Sequence, residues 1–217
     1  ALASAVRYGL GSVVMSNEHS ASAPNMMMGD LEINHQYSKS FAFEQDLARY
    51  VETRISPDLK YFSFLRPCSE IDITRRFAKL GQYHGVFRSC NTAFKQDATK
   101  RGVRWCCDCP KCRFVFLALA PFMNPSEFFG KNMLDDASQI EGFAELCGVS
   151  AYKPFECVGE IHESATVLKE LAGREFWRDA VVVKALAPKL QAGDFEALFE
   201  LHAEHAIPPE FLEALTC

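Results

Sequence analysis

Hydrophobic residues fall along this chain in short blocks whose spacing changes from one stretch to the next. Ser12-Val13-Val14-Met15 is a compact apolar run that predicts a strand, followed by a polar loop over 16–22 that stops at Pro24. Phe43, Leu47, Tyr50, Val51 and Arg54 recur at helical spacing, and Ser56-Pro57-Asp58 ends that helix. Tyr61 to Leu65 predicts a second strand and Ile71 to Leu80 another helix. From Ser126 onward the pattern predicts helices over 126–147, 162–172, 177–187, 194–205 and 208–216, broken at Gly148, Gly173, Pro188, Gly193 and Pro208-Pro209. Strand, loop and helix thus alternate in the first part of the chain. This predicts an α/β fold with a parallel sheet and polar loops at the strand ends. Residues 1–122 form its α/β part, with a cysteine element over 90–112, and residues 123–217 a mainly helical region.

Composition narrows the picture. Hydrophobic residues make up 48% of the 217, enough to build a core, and the net charge of −5 argues against a surface that grips nucleic acid or anionic lipid throughout. The longest apolar run, Phe114 to Met123, contains Pro121 and is far below the roughly 20 residues a bilayer-spanning helix needs, so no membrane segment is expected. The N-terminus lacks the order of basic, apolar and small residues that marks a secretory signal.

Nine cysteines are an odd number, unevenly spread, which fits a reduced, cytoplasmic compartment better than a disulfide scaffold. Cys106, Cys109 and Cys112 form a C-x2-C-x2-C run, and Cys90 is the nearest upstream thiol able to complete four ligands. Four thiolates with no open position make a structural Zn²⁺ site. Cys107 is an extra thiol that either replaces a neighbour as ligand or points away. The flanking segment carries Lys95, Lys100, Arg101, Arg104, Lys111 and Arg113 against Asp97 and Asp108. Such a loop can touch phosphate or simply screen the thiolates, and no aromatic residues interleave as a nucleic-acid stacking platform requires.

The run Arg88-Ser89-Cys90 with Cys106-x2-Cys109-x2-Cys112-Arg113, together with Leu65-Arg66-Pro67 before the Ile71 helix, resembles the PP-loop ATP pyrophosphatases, 7-cyano-7-deazaguanine synthase among them. Cys68, and Arg75-Arg76, depart from that family's pattern. Its S-G-G-x-D-S phosphate loop does not occur here. That absence and the start at Ala1 rather than Met imply the C-terminal portion of a longer protein, with ATP binding only half present. Four further runs resemble the UDP-N-acetylmuramoyl-L-alanyl-L-glutamate epimerase family: Asn17 to Asn25, Ile33 to Ser40, Trp105 to Phe122, and Lys153-Pro154-Phe155-Glu156-Cys157-Val158-Gly159-Glu160.

This second resemblance implies a bacterial cell-wall enzyme that uses ATP and Mg²⁺ to invert a terminal L-Glu to D-Glu through an adenylated carboxylate. The substrate it implies is UDP-MurNAc-L-Ala-L-Glu. Under it, Asn17, Glu18 and Ser20 sit where nucleotide or Mg²⁺ is held, or form an ordinary turn. Arg66 and Arg88 clamp phosphate or carboxylate, or pair with an acid. Cys157 and His162 are expected as an acid–base pair, against a buried thiol and a solvated helix start. His35 is expected on a substrate-contacting loop, against a loop histidine that only makes hydrogen bonds. His202 and His205 read as a solvated helix face. Other ATP pyrophosphatase chemistry, on a deazapurine or tRNA, is the alternative, followed by a non-catalytic zinc-stabilised RNA-binding module. A homo-oligomer is left open.

Overall fold

The computed structural model describes all residues except Asn25, Val103, Ala151, Tyr152, Phe155, Ala192 and Cys217. Asn25 and Phe155 of the resemblance runs, and the ninth cysteine, therefore lie outside the described residues. The elements in order are α1 (Leu2–Tyr8), β1 (Ser12–Met15), β2 (Met26–Met28), β3 (Leu31–Ile33), α2 (Phe41–Arg54) and β4 (Lys60–Ser63). They continue with α3 (Glu70–Ala78), α4 (Gly81–His84), α5 (Pro110–Leu119), α6 (Ser126–Phe129), α7 (Ile140–Leu146), α8 (Ile161–Leu171), α9 (Val181–Leu186) and α10 (Pro209–Thr216). The chain divides into two compact units, one of Ala1–Ser69 with Glu200–Cys217, the other of Glu70–Phe199. The boundaries between them fall at 69/70 and 199/200.

The first unit is α/β, as the alternation predicts. β1 and β4 pair in parallel, with Val13 opposite Tyr61 and Val14 opposite Phe62. Parallel partners need a crossover, which α2 supplies. The Oγ of Ser40 caps α2 by accepting the Phe43 N–H at 3.2 Å, and Arg54 sits at the carbonyl-rich end. Val13, Val51, Leu59, Tyr61 and Ala5 form the core of this unit. On the face that carries Phe62, the Phe211 ring of α10 packs at 5.2 Å. The antiparallel β2–β3 hairpin and α1 were not expected. The hairpin is a polar-flanked Met-Met-Met run lacking alternation, and α1 buries only Ala5.

The second unit is helical. Phe116, Phe143, Leu146, Leu168, Leu171, Val182 and Val183 form its core, and the Trp177 indole donates to the Ala120 carbonyl at 2.8 Å. The expected helix over 126–147 is instead two helices separated by 3₁₀ turns. Gly130 adopts φ 82°, and the Asn132 and Asp136 side chains accept the Leu134 and Ser138 N–H groups, starting new turns in place of helix. The expected helix over 194–205 reduces to a 3₁₀ turn at Glu196–Phe199. His202 and His205 therefore do not share a helix face: His205 Nδ1 accepts the Ile207 N–H, and the His202 ring stacks on His19 at 3.5 Å. The expected helix over 177–187 begins only at Val181. No described helix is long and apolar enough to cross a membrane.

Candidate functional site

The loops that leave the carboxyl ends of β1 and β4 carry Asn17, Glu18, Ser20 and Arg66, at the edge where α/β sheets place ligands. Arg66 is fully buried, and its guanidinium organises this edge. Nε and Nη2 donate to the Glu44 carboxylate at 3.3 and 2.9 Å, Nη1 to the Glu18 carbonyl at 2.7 Å and to Ser22 Oγ at 3.5 Å, and Nη2 also to the Lys39 carbonyl at 2.6 Å. Of the two roles open to Arg66, pairing with an acid is the one its geometry displays. Glu44 also accepts the Ser63 N–H at 3.1 Å, and Asn17 Nδ2 donates to Ser63 Oγ at 3.1 Å. Asn17 and Ser20 are buried and Glu18 is half-buried. His35 lies half-buried in the turn after β3. The neighbouring Asn34 donates to the Ala21 carbonyl and helps line a cleft of about 370 Å³ that also includes Tyr37, Phe41, Gln45 and Glu204.

Glu44 is the residue sequence reasoning missed here. A signal existed: at i, i+3 and i+7 it shares a helix face with Leu47 and Val51, so a charge on an apolar stripe required a buried partner.

In the second unit the four predicted sulfurs come together. The Sγ atoms of Cys90, Cys106, Cys109 and Cys112 all lie within 4.8 Å of one another. A tetrahedron with Zn–S bonds of about 2.3 Å places sulfurs roughly 3.8 Å apart, and Cys106 and Cys112 stand at 3.7 Å. That separation is far beyond a disulfide of about 2.05 Å. Cys109 is the N-cap of α5, Pro110 opens it and Cys112 lies in its first turn, so the helix start fixes two sulfurs. The Cys106 N–H donates to the Cys90 sulfur at 3.3 Å, closing the loop between them.

The thiols also sense one another. A hydrogen bond from Cys112 holds Cys109 down to about 4 against the effect of burial, while that same bond, and then burial, pushes Cys112 up. Burial raises Cys90, but the Thr92 hydroxyl and the Cys106 amide outweigh it and leave the thiol below its usual value. A divalent soft cation would replace such shared protons. Cys107 takes no part. At φ 55° its side chain turns into the core, where its thiol donates to the Trp105 and Phe129 carbonyls at 3.7 and 3.5 Å. Several of the flanking cations are spent on the chain itself, with Lys100 on Asp97, Arg113 on Asp108 and Arg101 Nε on the Lys95 carbonyl. Arg88, half-buried, donates to the Phe87 carbonyl.

The run from Lys153 to Glu160 is anchored next to this cluster. Glu156 accepts from Asn91 Nδ2 at 2.8 Å, one residue after the first of the four clustered cysteines. Gly159 packs so closely on Phe114 that a Cβ would lie 2.3 Å from the ring, and 2.9 Å from a Glu70 carboxylate oxygen. Cys157 is exposed on this run. His162, exposed at the start of α8, lays its ring against the Gly193 backbone. Lys153 adds a cation not anticipated: burial pulls its ammonium below the usual lysine range, opposed by the carboxylates of Glu160, Glu70 and Glu163.

Residues 1–64 match the model of the MurL N-terminal domain, and residues 86–198 match that of the MurL C-terminal domain. The chain belongs to the MurL family. A relative from Xanthomonas oryzae is 45% identical over 214 residues, covering 94% of this chain and 48% of the relative. One from Micromonospora is 48% identical, covering 99% and 49%, and one from Salinispora tropica is 51% identical, covering 86% and 41%. Each is called a UDP-N-acetyl-alpha-D-muramoyl-L-alanyl-L-glutamate epimerase. The chain spans about half the length, or somewhat less, of these curated MurL relatives. No solved structure matches.

Proposed function

We propose that the chain is part of an ATP- and Mg²⁺-dependent epimerase that inverts the terminal L-Glu of UDP-N-acetylmuramoyl-L-alanyl-L-glutamate to D-Glu in peptidoglycan precursor synthesis. The carrying observation is the 45–51% identity to three relatives that bear this epimerase name. A Cα proton beside an ionised carboxylate resists removal, because negative charge must build next to negative charge. Attack of that carboxylate on the α-phosphorus of ATP expels pyrophosphate and leaves a mixed anhydride with AMP, which acidifies the Cα–H. A base then takes the proton on one face and an acid returns one on the other. Water finally hydrolyses the anhydride, releasing the D-Glu product and AMP. Mg²⁺ offsets charge on the phosphates.

In this reading the α/β unit is the C-terminal part of a PP-loop ATP pyrophosphatase-like domain. Asn17, Glu18 and Ser20 lie on the nucleotide side of it. Arg66 shapes their loop from within, because its donors are already engaged. His35 contacts substrate, and Cys157 and His162, both exposed, are the acid–base pair. Cys90, Cys106, Cys109 and Cys112 hold a structural Zn²⁺ that orders the loop bearing Asn91. Dependence on ATP and on a UDP-linked precursor supports a cytoplasmic place for the enzyme.

The test uses the full-length protein in heavy water with ATP, Mg²⁺ and the UDP-MurNAc dipeptide. One deuterium at the glutamate Cα, dependent on ATP and accompanied by AMP, is the expected result. AMP without deuterium uptake moves the chemistry to another acceptor, and neither product overturns the reading.

A further inference from the structure

The parallel pair β1–β4 is too small to be a finished sheet. Parallel sheets occur with both faces covered and with several strands, and a two-stranded ribbon is marginal by itself. The two edges here are not equivalent. Beside β4, Ala206 and Pro208 line a cleft of about 140 Å³ together with Lys60, Tyr61 and Phe62, so this edge has company from its own unit. β1 pairs only with β4 among the described residues.

The ladder to β4 uses the Gly11 and Met15 carbonyls, which accept from Lys60 and Phe64 at 2.9 and 2.8 Å. Strand alternation then turns the N–H and C=O of Ser12 and Val14 to the open side. Neighbouring positions Val14 and Phe62 share a face, yet Phe62 is 1% exposed beneath Phe211 while Val14 is 51% exposed. Val6, Tyr8 and Leu10, on the stretch leading into β1, are exposed as well. Solvated edge strands are normally protected by lysine, proline or a bulge. Ser12-Val13-Val14-Met15 has no charge and no proline. Its curated relatives contain about as much chain again as is present here.

We propose that the open edge of β1 is an interaction surface for the part of a full-length family member that this chain does not contain. That part contributes at least one further parallel strand, apolar on both faces, which hydrogen-bonds to Ser12 and Val14 and covers the Val14 side chain. The inference is independent of the epimerase reading, since it concerns the sheet and holds whatever the reaction.

Amide hydrogen exchange tests it on two proteins, the 217-residue chain and the full-length Micromonospora relative. The amide at the position aligned with Val14 is expected to exchange at least ~100-fold more slowly in the full-length protein. Equal rates overturn the proposal. So does protection of Val14 that grows with the concentration of the 217-residue chain alone, because the occupant is then a second copy. A Val14→Lys change provides the second arm. It is expected to leave the thermal midpoint of the 217-residue chain unmoved and to lower that of the full-length relative when made at the aligned position. A full-length midpoint that does not move also overturns the proposal, and Val86→Lys, at an exposed site in the other unit, controls for added charge.

Discussion

Arg66 and Glu44 face each other where water does not reach, with Nη2 at 2.9 Å from Oε2 and both side chains at most 1% exposed. Taking two charges out of water is costly, and their attraction offsets that cost only when the remaining donors and acceptors are also satisfied. Here they are. The other guanidinium hydrogens bond to the Glu18 and Lys39 carbonyls and Ser22, and the second carboxylate oxygen accepts the Ser63 N–H. One ion pair thereby sets the loop after β1, the approach to α2 and the end of β4.

Removing one partner should therefore cost more than removing both. Glu44→Gln leaves a buried, uncompensated cation and is expected to lower stability by about 3–5 kcal/mol. Combining Arg66→Met with Glu44→Leu should recover most of that loss while leaving the loops unpositioned. Urea denaturation of the two variants and the parent measures the difference. Equal losses would show that the pair is not acting as a unit.

The zinc site proposed on the four sulfurs makes a prediction about metal content. Cys106→Ser and Cys112→Ser should each abolish bound zinc in the purified protein, measured by plasma mass spectrometry, and destabilise the second unit. The effect should be large, because structural zinc contributes an apparent ~10–16 kcal/mol to ordering its surroundings. Cys107→Ala should keep one zinc per chain, since its thiol points to the Trp105 and Phe129 carbonyls.

Cys147 makes stability depend on alkaline pH. Burial pushes its thiol from 9.0 up to about 12. Above pH 9.0 the unfolded chain sheds this proton while the folded chain keeps it, so the stability present below that pH is lost as pH rises toward 12. The slope from this one group is at most about 1.4 kcal/mol per pH unit. Unfolding of Cys147→Ala compared with the parent at several alkaline pH values should show the shallower dependence in the variant.

At Gly159 the constraint is space. A methyl group there meets the Phe114 ring at 2.3 Å, inside any tolerable contact. Gly159→Ala should destabilise by about 1–3 kcal/mol and shift the run bearing Cys157. Chemical denaturation checks the first effect, and the alkylation rate of Cys157 relative to that of the buried Cys147 checks the second.

Much of this arrangement was legible because the signals were local. The C-x2-C-x2-C spacing lies within one turn and a helix start, and Cys90 was the nearest thiol that could join it. β1 is where the apolar run places it, and the βαβ order follows from alternation. Contacts distant in sequence were not legible. Glu44 read only as part of a helix, because nothing near it reveals Arg66, 22 positions away. The helices expected over 162–172 and 208–216 match α8 and α10, whereas the one over 126–147 breaks because apolar spacing persists through Gly130 and Asp136, where a left-handed glycine and a side-chain cap overrule it. The meeting of Asn91 and Glu156 spans 65 residues and leaves no local mark in the sequence either.

That last meeting gives the four-cysteine loop a reach beyond its own turn. The segment bearing Cys157 is tied at Glu156 to the residue that follows the first of the four clustered cysteines, so the order of one is inherited by the other. With the proposed ion bound, a chelator should then loosen the segment that Glu156 anchors and speed the alkylation of Cys157. Restoring the ion would slow that reaction again without the ion ever touching Cys157.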